Sequence, residues 1–166
     1  MENLDYIQHA QLSQTYKGGA NWFYWIAGLT IITSIIAFSG GDWRFFISLG
    51  STQVIDAFAE GLSTELGTAA KVVGLILDLI ISGLFVMFGY LAGQKLLWAY
   101  MLGMVVFLLD GLISLLFQDY IGAIAHAVAL FFMFRGYQVG RELVALENWM
   151  AERKLAETTP QPEPAL

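Results

Sequence analysis

No cysteine occurs anywhere in the 166 residues. That excludes disulfides, thiolate metal sites and cysteine nucleophiles together, and it leaves the redox environment undetermined. Charge is also scarce: only 13% of residues are Asp, Glu, Lys or Arg, against about 25% in an ordinary soluble domain. The eight basic residues are scattered and the net charge is −6, so a nucleic-acid partner is not expected, because phosphate neutralisation needs clustered Lys and Arg. Proline numbers three, all from Pro160 onward. The tail "TTPQPEPAL" therefore reads as disordered over 157–166. No GxSxG, P-loop, GxGxxG, HExxH or CxxC pattern is present, so no catalytic set, cofactor or metal is assigned.

What the chain has in abundance is apolar surface. Hydrophobic residues make up 57% of it, more than a core of this length can hide, and lipid is the expected solvent for the rest. Four apolar runs stand out, at about 20–38, 72–91, 96–117 and 120–140, each long enough at about 1.5 Å per residue to cross hydrocarbon. Only "AGQK" and "QD" separate the last three. The expected fold is all-α: a polytopic four-helix transmembrane bundle in a single domain at 20–140.

Around that bundle, residues 1–19 form a polar segment. Residues 40–70 form a less apolar, Gly-rich loop in which Val54, Ile55, Phe58 and Leu62 share one helical face and Asp56 and Glu60 another, the pattern of an interfacial helix packed on the bundle or a partner. A re-entrant hairpin turning near Gly50 is the competing geometry. After the fourth run, Val139, Leu143, Leu146 and Met150 recur on one face, so the last helix should continue as an amphipathic extension over 141–156.

If the spans alternate, Lys17, Lys95, Arg141, Arg153 and Lys154 fall on one side with Arg135 near it, and only Arg44 and Lys71 on the other. The excess of basic residues marks the side of both termini as cytoplasmic. Trp22, Trp25, Trp43, Tyr90, Trp98, Tyr120 and Tyr137 fall mostly near span ends, as interfacial anchors do.

Inside the spans a few polar residues demand explanation. An aspartate at mid-membrane costs about 2.5–3.5 kcal/mol on the insertion scale, while each Leu, Ile, Val or Phe contributes about 0.3–0.6 in the opposite sense. The thirteen such residues between Leu96 and Phe117 together outweigh Asp110, so the third run can insert despite its acid. Counted from the ends of their runs, Asp78, Asp110 and His126 lie at a common depth of about 9–12 Å, and such groups are expected to face one another or a cavity rather than lipid. "ILDLIISGLF" (76–85) and "LLDGLISLLF" (108–117) match at both aspartates and place Ser82 and Ser114 one turn beyond them. The likeness fits either a small residue alphabet or the trace of an inverted repeat.

The candidate cluster is thus Asp78, Asp110, His126, Ser82 and Ser114. Interhelical hydrogen bonds that fix packing are its favoured reading, with proton or ion handling next. A metal site is possible in ligand type and unsupported in spacing. Gly89 and Gly93 form a GxxxG, and Gly122 with His126 sits among alternating alanines, so Gly89, Gly93 and Gly122 are the candidate helix-packing positions.

With "NWFYWIAGL", "SGGDW", "DGLI" and "IAHAVALFFMFRGY", the chain resembles small uncharacterised bacterial integral membrane proteins over roughly residues 20–140. That resemblance implies a bacterial inner membrane and carries no activity and no catalytic residue. The function expected is that of a helix-packing subunit or accessory of a membrane assembly, touching lipid and either a second copy or another membrane protein. The alternative is an oligomeric proton-coupled transporter or channel working through the Asp/Asp/His cluster.

Overall fold

A computed structural model describes residues 2–39, 50–52, 54–55, 57–58, 61 and 67–158. The expectations for Trp43, Arg44, Asp56, Glu60, Leu62 and the tail from 159 lie outside the described residues. Four long helices carry the fold: α1 (Glu2–Phe38), α2 (Thr68–Gly93), α3 (Leu97–Leu116) and α4 (Tyr120–Thr158). No strand occurs among the described residues, and all four helices are long and apolar enough to cross a membrane.

The chain runs up, down, up and down. α1 lies beside α2 and α4, while α3 lies beside α4 and, over a shorter stretch, α2. Both sharp reversals are built alike. At the end of α2 the Lys95 N–H donates to the Ala92 carbonyl and the Leu96 N–H to the Leu91 carbonyl; at the end of α3, Gln118 and Asp119 do the same to Leu115 and Ser114. These paired bonds close the helix C-termini, and they require a left-handed residue, here Lys95 (φ 62°) and Gln118 (φ 60°) where glycine is commoner. Asp119 then caps α4, accepting from the Gly122 N–H at 2.9 Å, so three residues both stop one helix and start the next.

α1 and α4 are 37 and 39 residues long, α3 only 20. The two long helices therefore extend past the others by about 25 Å at helical rise. Residues 2–19, expected only as a polar segment, are continuous helix, and Gly18–Gly19 does not interrupt it. The reason lies in packing. A Cβ built on Gly19 would sit 2.7 Å from the Gly136 Cα, and one on Gly136 would sit 2.6 Å from the Tyr100 hydroxyl. Here α1 and α4 touch backbone to backbone, an approach only glycine permits.

Beyond the crossing, Leu143 is wholly buried between the paired ends, and His9 bonds to Glu147 at 2.7 Å. Lys95, from the α2–α3 turn, reaches the same carboxylate, and Arg153 stands 3.8 Å from Asp5. Partial burial pushes the Glu147 carboxyl up, but the hydrogen bonds from Lys95 and His9 outweigh it and hold the group below the ordinary glutamate value.

The interior is graded. Toward the termini it is aromatic, with Tyr16, Phe23, Phe85, Phe88, Tyr100 and Phe107 in a chain of ring contacts. Tyr16 and Tyr100 satisfy their hydroxyls on the Ala92 and Met133 carbonyls. Toward the opposite end the buried side chains are polar: Thr30, Thr33, Ser34, Asp78, Ser82, Asp110, Ser114 and His126. Meanwhile Ile76, Ile80, Leu84, Met87, Leu109, Leu112, Ile124 and Phe131 face outward. Polar inside and apolar outside reverses the arrangement of a water-soluble bundle.

Of the glycines expected to pack helices, Gly89 meets the Tyr24 ring, at 3.0 Å from a built Cβ. Gly93 faces open space, and Gly122 faces the carboxylate of its own cap, Asp119. The close crossing uses Gly19 and Gly136 instead, because what matters is which residue faces a neighbouring backbone, and GxxxG spacing does not specify that.

Opposite signs are expected for two glycine variants in a thermal unfolding assay of the full chain in detergent. Gly136→Ala should destabilise by about 1–3 kcal/mol, the usual cost of overpacking. Gly93→Ala should be neutral or stabilising by up to about 1 kcal/mol, since the added methyl meets nothing and Ala favours helix. On acidification, the stability that Glu147 contributes is complete above the ordinary glutamate pKa of about 4.3 and is lost as pH falls through its lowered folded value. The same assay between pH 6 and 3 should show a shallower acid-side decline in Glu147→Gln.

Candidate functional site

Asp110 sits six residues before the end of α3, about 9 Å inside it at helical rise, and is 5% exposed. Its carboxylate is surrounded by donors from two other parts of the chain. The Gly50 N–H donates to Oδ2 at 2.6 Å and the Ser51 N–H to Oδ1 at 2.8 Å. On the other flank, His126 of α4 places Nε2 3.0 Å from Oδ2. The other ring nitrogen, Nδ1, is 2.8 Å from the Gly122 carbonyl one turn back. That carbonyl can only accept, so Nδ1 carries a proton; Nε2 shares a second proton with Asp110 or is met by a protonated acid. Phe107 stacks on the imidazole at 4.5 Å and 21°, and a Cβ on Gly111 would come within 3.0 Å of the His126 Cβ, so the ring has no room to turn.

Residues 50–52 are helical, and two successive backbone N–H groups there converge on Asp110, a concentration of partial positive charge that suits a carboxylate. Gly50 lies so close that a Cβ there would be 2.5 Å from the Asp110 carbonyl oxygen and 2.6 Å from the Ser114 Oγ. Thr52 is buried as well, whereas Val54 and Phe58 are exposed. Of the apolar face expected to pack on the bundle or on a partner, Val54 and Phe58 are thus open to contact and Ile55 is half-buried, while Gly50 and Ser51 tie the segment to Asp110 through their backbone amides.

Asp78 is 1% exposed and occupies a different part of the same interior. Ser34 of α1 donates to its Oδ2 at 2.8 Å. That bond sets the antiparallel register of α1 and α2, which puts Thr30 opposite Ser82 one turn nearer the bundle centre. Both side chains are fully buried, and neither hydroxyl has a hydrogen-bond partner among the described residues. Ser114 Oγ lies 3.5 Å from the Asp110 carbonyl of its own helix. The matched segments around Asp78 and Asp110 therefore serve different neighbours: one carboxylate takes a side-chain hydroxyl, the other two backbone amides and an imidazole.

The cluster residues Asp78, Ser82, Asp110, Ser114 and His126 all lie in the interior, and the structure joins Asp110 to His126 directly. Ser34, Gly50 and Ser51 are the partners that sequence reasoning passed over. Thr30 and Ser34, spaced i to i+4 in an otherwise apolar run, were a readable sign of a polar stripe on α1. Nothing local marks Gly50 as the partner of a residue sixty positions away. Among the described residues no group of three His, Asp or Glu has the arrangement of a metal site. Compared with protein-family models, curated proteins and solved structures, the chain matches none.

Because the chain lacks cysteine, a single Thr52→Cys variant offers one thiol for labelling. In the parent background that thiol should resist a membrane-permeant maleimide. With Asp110→Ala added, labelling should rise at least tenfold, since two amides lose their acceptor. Equal labelling in both backgrounds would show that the carboxylate does not hold the segment.

Proposed function

We propose that this chain is a polytopic integral membrane protein of the bacterial inner membrane, with both termini cytoplasmic, that acts by helix packing as a subunit or accessory of a larger membrane assembly. The inverted polarity of the bundle supports the membrane setting, since a soluble protein would not leave so many large aliphatic side chains outward while burying nine polar or charged ones. Orientation follows the basic residues: Lys17, Lys95, Arg141, Arg153 and Lys154 lie toward the termini, against Lys71 at the other end.

One observation carries the functional reading. Both oxygens of the Asp110 carboxylate and both nitrogens of His126 are taken up by neighbours within the chain. A pair so enclosed is a latch holding residues 50–52 against α3 and α4, and it leaves recognition to the surface. Contact surfaces are available at each end. Trp149 is half exposed on the projecting part of α4, and Phe58 is exposed on the segment following the latch.

A second reading, an oligomeric proton-coupled transporter or channel, is favoured by the unpartnered hydroxyls of Thr30 and Ser82 beside Asp78, because open polar positions inside a bundle line the routes of polar solutes. The two readings separate in one set of measurements. Photo-crosslinkers at Trp149 and Phe58 in native membranes should give a discrete adduct of fixed mass, and the purified chain should exceed monomer mass or co-purify in fixed ratio with a partner. A monomer that yields no adduct would overturn the packing role. Proton flux in proteoliposomes, lost in Asp78→Asn and Asp110→Asn, would establish the transport reading in its place.

A further inference from the structure

Next to the Gly19–Gly136 crossing, α1 and α4 leave a surface groove of about 280 Å³, lined by Thr15, Gly18, Gly19, Trp22, Phe132 and Arg135. Trp22 and Phe132 stack on one another at its edge, with centroids 5.6 Å apart and planes 8° off, so an apolar chain would lie over the stacked pair rather than between the rings. Trp25, three residues after Trp22, and Val128, four before Phe132, continue the two walls and are exposed. The groove is thus apolar along its length and cationic at one end.

Arg135 has no internal counter-charge. Among the described residues the ion pairs join His9, Lys95, His126 and Arg153 to carboxylates, and Arg135 takes part in none. Glu142, seven residues on and so on the same helical face about 10 Å away, does not reach it. The Thr15 hydroxyl already donates to the Gln11 carbonyl at 3.1 Å, so anion recognition falls on the guanidinium. Guanidinium is the side chain best shaped for phosphate oxygens, offering two parallel N–H donors.

Position selects the source of the phosphate. Arg135 lies fifteen residues into α4, about 22 Å from Tyr120. Across a hydrocarbon layer of about 30 Å its stem spans most of the remaining distance to the cytoplasmic headgroups. On this membrane reading, we infer that the groove binds one anionic phospholipid, its phosphate on Arg135 and one acyl chain along Trp22, Phe132, Trp25 and Val128.

Native mass spectrometry of the full chain, purified in detergent and titrated with phosphatidylglycerol or phosphatidylcholine, tests this. Wild type should retain one phosphatidylglycerol with at least tenfold preference over phosphatidylcholine. Arg135→Gln should abolish the preference. Gly18→Leu, which fills the groove where a Cβ on Gly18 meets nothing within 4 Å, should weaken retention of both lipids about tenfold while Arg135 stays in place. Equal retention by all three proteins, no preference in wild type, or displacement of phosphatidylglycerol by millimolar inorganic phosphate would each overturn the inference, the last by assigning the site to free phosphate. Resistance of the chain to carbonate extraction from membranes is scored separately, so a failure of lipid retention in an extraction-resistant protein refutes the groove alone.

Discussion

A carboxylate enclosed in an apolar bundle must be met by donors, and the arrangement at one end of this protein follows from that need. Asp110, only 5% exposed, cannot turn outward without giving up its donors, and it draws together three parts of the chain: residues 50–51, α3 and α4. Desolvating such an acid costs several kcal/mol unless hydrogen bonds compensate. Two adjacent backbone N–H groups and an imidazole are strong compensation, because each points its polar atom at the carboxyl group. The same bonds supply acceptors for amides that would otherwise be orphaned in the bundle interior. Carboxylate and amides are thus each other's condition for burial.

The other end relies on different physics. There the aromatic chain from Tyr16 to Phe107 fills the space between helices, and α1 meets α4 through paired glycines. Van der Waals packing gains from every tenth of an ångström of closer approach, but it specifies partners less sharply than the polar end does. Between the two lie Thr30 and Ser82, whose buried hydroxyls are without partners. Leaving such groups unsatisfied costs about 1–3 kcal/mol each, so they are the least settled positions in the interior.

The all-helical class and the four apolar runs could be read directly, since both depend on composition over twenty-residue windows, which averages out single exceptions. The short reversals were legible for a related reason: few residues can both stop and start a helix, and "QD" does so with Gln118 in the left-handed region and Asp119 as cap. Helix 2–19 was not legible, because Gly18 and Gly19 carry poor helix propensity, and the contact that explains Gly19 lies with Gly136, more than a hundred residues away. Asp78, Asp110 and His126 stood out in the sequence by polarity alone. Their partners did not, since Gly50 is defined by what lies against it and has no side chain to announce that role. For Val54 and Phe58, periodicity reveals a face and is silent about which way the face turns.

The order of the helices around the bundle has a consequence for biosynthesis. α1 is made before α2, α3 and α4, yet one of its two flanking neighbours, α4, is the last of these four, and 120 residues separate Phe38 from Thr158. At translation rates of about 5–20 residues per second, the first helix waits on the order of 6–24 s for that neighbour. Its glycine face, which α4 covers in the finished bundle, stays open throughout. A newly made α1 is therefore the part of this molecule most in need of shelter, from a chaperone, an insertase or the α4 of an older copy.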